Sequence, residues 1–293
     1  MLKINNYSNL NLILLLGVIL LILVVIKSYL LKKLNKKDLE IAKEISIGYE
    51  EIQEDYGEVF TSPNGTLAVL ADGLGKNETG RISSITSVKT IIKMFKEEGS
   101  KDRLSYFLKK AFNKANREII KRVEKDKGGA SVLSVIITNN VLNYALVGDV
   151  MLAIFRNKEL IKLSQGHSIS EVAKREYYKG KLEKAKALYA IKENKLLYYV
   201  GQESFKNIEI SEVPIELYKD DIVVLMTKGL YEGLSWIEFE EILANKKVNI
   251  NEICEEIMIS VANNNKNNCN GSIILMKYCG RKRKAAGINK NNY

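Results

Sequence analysis

Leu67-Ala68-Val69-Leu70-Ala71-Asp72-Gly73-Leu74-Gly75 is the stretch on which the fold of this 293-residue chain turns. Its continuous apolar run, Leu67 to Ala71, reads as a buried strand that ends at Asp72-Gly73. A carboxylate at a strand end followed by glycine can bring a side-chain oxygen and a backbone carbonyl to one hard cation. Taken alone, such a pair is more often a turn. Downstream, Ile82 to Glu98 and Arg103 to Glu124 carry apolar residues at helical spacing, and Lys125 to Gly129 breaks the second helix. Four short strand patterns then crowd together: Ser131–Thr138, Leu142–Val147, Met151–Arg156 and Glu159–Leu163. Asn139-Asn140, Gly148-Asp149 and Asn157-Lys158 split them, as short turns do in an antiparallel meander. Ser168 to Tyr178 reads as a helix, and strands recur at Leu196–Val200, Ile208–Ile210 and Ile222–Thr227. Ser235 and Glu238 form a capping box, Ile250 to Asn263 is a helix, and Ser272–Lys277 is a last strand. Upstream, Asp38 to Tyr49 is a connector or a first strand. Helices and strands are segregated along the chain, which predicts an α+β fold with antiparallel sheets.

Composition removes several classes of function. A hydrophobic share of 46% excludes a disordered chain. Cys254, Cys269 and Cys279 have no CxxC spacing, and with His167 as the single histidine, a His/Cys zinc cluster or a Ser-His-Asp triad would hang on one imidazole. Metal chemistry, if present, is oxygen-ligand chemistry. The net charge of +10 comes from the two ends: residues 1–37 hold six lysines and no acid, and residues 281–293 hold five basic residues and no acid. The rest carries 34 basic against 35 acidic side chains, so no basic face predicts nucleic-acid binding.

Leu12 to Ile26 is an uninterrupted run of apolar residues and one glycine. Extended to residues 10–31, it reaches the length of a membrane span, with one lysine before it and five lysines by residue 37. The expectation is a single-pass protein: an extracytoplasmic N-terminus at 1–9, a transmembrane helix at 10–31 and a basic juxtamembrane linker at 32–47. A cytoplasmic domain over 48–279 and a basic disordered tail over 280–293 complete it. His167, Trp236 and the cysteines read as packing residues.

Four segments place acids, glycines or a lysine just beyond apolar runs: Gln53-Glu54-Asp55, Asp72-Gly73, Gly148-Asp149 and Thr227-Lys228-Gly229. Together with Gly80-Arg81-Ile82-Ser83-Ser84, Gly129-Ala130-Ser131, Leu163 to Ser168 and Cys269-Asn270-Gly271-Ser272-Ile273, they follow one order. That order resembles the PPM (protein phosphatase 2C-like) family of metal-dependent Ser/Thr phosphatases. Each motif alone is weak; the ordered set, running from about Gly48 to Tyr278, is specific. The resemblance implies a PP2C-like sandwich of two antiparallel β-sheets flanked by helix pairs, with metals at one end. It assigns the metal positions to Asp72, Gly73, Glu54, Asp55, Asp149 and Glu232.

The departures from the family pattern are chemical. Two aspartates that would complete a second metal shell are here Lys228 and Cys269, and an ammonium cannot ligate while a thiol suits a hard cation poorly. The family's phosphate-binding arginine is matched by Glu50, which repels phosphate. These positions imply Mn²⁺ or Mg²⁺ at reduced occupancy and a pseudophosphatase, a regulatory or phosphoprotein-binding module for a cytosolic partner. The alternative is a weakly active Mn/Mg-dependent protein Ser/Thr phosphatase, working through an ion at Asp72 and another at Asp149/Glu232.

Overall fold

Strand β3 (Gly65–Gly75) shows why the apolar run at its centre is continuous: Leu67, Val69 and Ala71 face a helical layer, while Ala68 and Leu70 face a second sheet. A strand covered on both faces needs apolar residues at every position, not at alternate ones. The same alternation holds in β10 (Ile222–Met226), where Val224 and Met226 face helices and Val223 and Leu225 face the other sheet.

The computed structural model describes residues 14–27, 38–48, 50–76, 78–99, 103–124, 127–192, 195–203, 205–245, 249–264 and 270–280. They divide into two units, Met1–Asp38 and Leu39–Tyr293. In the second, one sheet has the order β1 (Leu39–Ser46), β11 (Gly271–Tyr278), β10, β6 (Met151–Arg156) and β7 (Glu159–Lys162). The other has the order β2 (Tyr56–Ser62), β3, β4 (Gly128–Thr138), β5 (Val141–Val147) and β8 (Glu209–Ile210), with β9 (Ile215–Glu216) pairing the far end of β5. All these strand pairs are antiparallel.

Leu70, Leu133, Leu146, Leu152, Val223 and Ile274 fill the space between the sheets. Helices α2 (Thr79–Glu98) and α3 (Leu104–Arg122) cover the β3 sheet through Ile91, Phe95 and Phe112. Helices α6 (Lys228–Gly233), α7 (Trp236–Leu243) and α8 (Ile250–Asn263) cover the β10 sheet through Leu230, Phe239 and Ile257. A pair, α4 (Ile169–Tyr178) and α5 (Lys184–Lys192), lies in the β7–β8 connection. The capping box at Ser235 and Glu238 forms as its spacing predicts.

Several expectations are corrected. The N-terminal helix, α1, is described over residues 14–27, and fourteen residues rise only about 21 Å, short of the roughly 30 Å of a bilayer core. Among the described residues no helix is long and apolar enough to cross a membrane. The transmembrane helix at 10–31 and the single-pass, N-outside localisation built on it are therefore not upheld; residues 10–13 and 28–31 of that expected span lie outside the described residues, as do 1–9, 32–37 and 281–293. Residues 39–46, counted with the linker and read as a connector or a first strand, form β1, which pairs with β11 from Leu39↔Tyr278 to Ser46↔Gly271. Leu196–Val200 is not a strand, since only isolated bridges to Ser168 and Ala130 form there.

Candidate metal centre

The acids meet at one end of the sandwich because strand register and two turns bring them there. Asp72 stands opposite Ser131 in the β3–β4 pair. The turn from β5 to β6 returns Asp149 to the same serine: Ser131 Oγ donates to Asp149 Oδ1 at 2.9 Å and accepts from the Asp149 N–H at 3.3 Å. His167 braces this turn, its Nδ1 accepting the Gly148 N–H at 3.1 Å while its own backbone N–H donates to Gly148 O at 2.8 Å. Burial lowers the imidazole pKa, which keeps Nδ1 unprotonated and able to accept.

The Gln53–Asp55 segment reaches the site through a hydrogen-bond chain that spans the molecule. Thr227 Oγ1 donates to Asp55 Oδ2 at 2.7 Å and accepts the Ser272 N–H at 2.9 Å, joining that segment to the ends of β10 and β11. Asn270 Nδ2 donates to Ile52 O at 3.1 Å. Glu54 folds against the start of α2 so closely that a Cβ on Gly80 would collide with its Oε1. A Cβ on Gly73 would strike the Gly80 carbonyl, so Gly73 must be glycine for the two backbones to approach.

Glu50, Glu54, Asp72, Asp149, Lys228 and Glu232 line one cavity of about 570 Å³ at this end. Asp55 is buried beside it and Gly73 is buried in the strand end. Cys269 lies outside the described residues. The charged residues singled out from the sequence thus lie together in one lining with Asn270, while Tyr199 and the Thr227–Ser272 relay carried no signal in the sequence. Ser131 was visible only as a motif residue, without its bond to Asp149.

Charge is poorly compensated here. Among the described residues, the Asp72 carboxylate is influenced by burial and charge without a hydrogen-bond donor, and Asp55 Oδ1, Asn270 Oδ1 and the Ser272 hydroxyl beside Asp55 are buried without hydrogen-bond partners. Burial, followed by Asp55, Asp149 and Glu54, drives the Asp72 pKa well above the carboxylate range, with Lys228 opposing. Burial, then Glu50 and Asp55, raises Glu54 to about 7. Burial raises Asp55 to about 6 against the lowering effect of the Ser272 and Thr227 hydroxyls. Asp149 is also raised by burial, and Ser131 and then Lys228 work against it. Lys228 opens α6, with its Nζ 4.0 Å from Glu232 Oε1 one turn on.

A divalent cation fits one half of this cavity. Carboxylates that accept no hydrogen bond, an orphaned buried carboxylate oxygen and a hard-oxygen donor set on the Glu54/Asp72/Asp55 side are the features such an ion satisfies. Toward Glu232 the lining contains the Lys228 ammonium, 4.0 Å from Glu232 Oε1 and offsetting both Asp149 and Asp72, so a second ion fits there less well. Among the described residues no three acidic, cysteine or histidine side chains converge on one metal-sized point. An ion held by one or two carboxylates, with water completing its shell, matches that spacing.

The protein phosphatase 2C family model matches residues 47–252. The serine/threonine phosphatase stp of Listeria monocytogenes serovar 1/2a is 26% identical over 202 residues, covering 66% of this chain and 78% of the relative. Among solved structures, the S. agalactiae serine/threonine phosphatase superposes with a TM-score of 0.73 at 21% identity, covering 83% of this chain and 100% of the other. The catalytic domain of the serine/threonine protein phosphatase PstP, solved with two manganese ions, gives a TM-score of 0.66 at 18% identity over 83% of this chain and 99% of its own. Ordered motifs, two-sheet topology and family match agree, and the chain belongs to the protein phosphatase 2C family.

Proposed function

We propose that this domain is a divalent-metal-dependent protein serine/threonine phosphatase of low activity, using the Glu54/Asp72 half of its cavity. The observation that carries the reading is the Asp72 carboxylate, which faces the cavity with no hydrogen-bond donor among the described residues and with three acids raising its pKa. Such a group is costly to keep ionised unless a cation arrives. The Listeria relative and the S. agalactiae structure, both serine/threonine phosphatases, support phosphoserine and phosphothreonine as the substrate class. A bound Mn²⁺ or Mg²⁺ would supply Lewis acidity toward a phosphoryl oxygen and lower the pKa of a water. The chain's own residues supply the rest. Asp72, Glu54 and the Gly73 carbonyl would hold the ion, and Asp55, anchored by Thr227, sets the position of the Glu54 segment. Ser131 and His167 fix the Asp149 turn at the cavity wall.

A second reading, a phosphoprotein-binding module without turnover, is favoured by Lys228, whose ammonium lines the cavity and can pair with a phosphate but cannot ligate a metal. The deciding experiment is release of phosphate from phosphothreonine and phosphoserine peptides by the full chain in Mn²⁺ and in chelator. Mn²⁺-dependent release, abolished in Asp72→Asn, supports the catalytic reading. Tight peptide binding with no release in Mn²⁺ replaces it with the second.

A further inference from the structure

We infer that Lys228 is a tethered counter-ion, whose ammonium takes the Asp149/Glu232 half of the cavity and limits the centre to a single divalent cation on the Glu54/Asp72 half. The inference rests on the metal-dependent reading above and specifies how many ions the site holds and why.

The geometry is asymmetric. Five acids line the cavity with one basic residue, Lys228. Its ammonium lies 4.0 Å from Glu232 Oε1, and α6 fixes that spacing, because residues four apart share a helix face. Lys228 is only partly exposed, its side chain retaining 27% accessibility, so it does not simply extend into water. It is also the cation that moderates both Asp72 and Asp149. Glu54 itself has no such relief among the described residues: burial, Glu50 and Asp55 are all unfavourable to its charge.

A +1 charge within several ångströms of a second-ion position has two effects. It neutralises acids that would otherwise attract the ion, and it repels the ion directly. Even with strong dielectric screening, the repulsion between a monovalent and a divalent cation at such a distance corresponds to about a tenfold or larger loss of affinity. The related PstP catalytic domain was solved with two manganese ions; this chain, with an ammonium in its cavity, is built for one.

The test is a Mn²⁺ titration of the full chain by calorimetry, with Lys228→Met and Lys228→Arg alongside and thermal unfolding in chelator as a second readout. The expected result is one Mn²⁺ for the wild type and for Lys228→Arg. Lys228→Met should take a second equivalent, or bind its first about tenfold more tightly. In chelator its midpoint should fall below that of the wild type and recover on adding Mn²⁺. Two ions bound to the wild type, or identical titrations for wild type and Lys228→Met, would overturn the inference; the wild-type stoichiometry decides by itself if Lys228→Met does not fold. No binding to the wild type overturns the single-ion form together with the metal-dependent reading. One ion bound without phosphate release removes only the catalytic reading and leaves the counter-ion standing.

Discussion

The two ends of β6 and β10 treat buried acid in opposite ways. At the far end, where Arg156 closes β6 and Asp221 precedes β10, the carboxylate is fully partnered. Arg156 Nε and Nη2 donate to its two oxygens at 3.0 and 2.6 Å, and the Tyr218 N–H donates at 2.7 Å. Arg156 also lies 4.9 Å from the Tyr218 ring centroid. At the near end, Asp55 keeps an unpartnered buried oxygen, and the acids around it are pushed toward protonation. One fold satisfies a buried carboxylate where it serves structure and leaves others unsatisfied a strand length away. The cost at the near end is the signature of a site that expects a cation.

Breaking the far end has the largest expected effect. Arg156→Met leaves Asp221, whose side chain is 4% exposed, without its ion-pair partner, and should cost about 3 kcal/mol of stability. Chemical denaturation would measure this, and Mn²⁺ should stabilise the variant as much as it stabilises the wild type. A loss of the Mn²⁺ response in this variant would mean that the two ends are not independent.

Cutting the hydrogen-bond chain at the near end comes next. Thr227→Val removes the donor to Asp55 Oδ2 and the acceptor for the Ser272 N–H, and should cost about 2 kcal/mol, measured the same way. The loss should shrink below pH 6, because a protonated Asp55 needs the threonine donor less.

A further difference separates the ends by pH. Glu54 at about 7 and Asp55 at about 6 lie above their unfolded values, so the metal-free folded state binds more protons than the unfolded state between roughly pH 4 and 7. Their favourable contribution is complete below about pH 4 and is lost as pH rises through 6 and 7. Unfolding midpoints in chelator should therefore decline across that window, and saturating Mn²⁺ should flatten the decline. A midpoint that rises from pH 5 to 7 in chelator would contradict the electrostatic account of the near end.

The sequence made the near end readable in part, because strand-end acids stand out against apolar runs: Asp72 after Leu67–Ala71 and Asp149 after Leu142–Val147 are visible one element at a time. The sandwich was readable for the same reason, since continuous apolar strands need cover on both faces. What stayed hidden depends on partners far apart in the chain. The Thr227–Asp55 bond joins residues 172 positions apart, and nothing local to either residue announces it. β1 left a connector and a first strand open in the sequence, and β11 decides between them by offering eight residues of register. The apolar N-terminal run misled for a different reason: hydropathy gives the character of a segment, and the described helix, 14–27, is shorter than the run suggested.

The most direct test of the central claim, that the near end is an acid cluster held open for a cation, is the thermal midpoint of the full chain titrated with Mn²⁺ for wild type and Asp72→Asn. Binding to the folded state alone raises the midpoint in proportion to the logarithm of ion concentration above the dissociation constant. The account predicts a saturable rise for the wild type, a higher starting midpoint in chelator for Asp72→Asn, whose neutral amide removes the repulsion, and little further rise for that variant with Mn²⁺. Equal Mn²⁺ responses in the two chains, or none in the wild type, would contradict it.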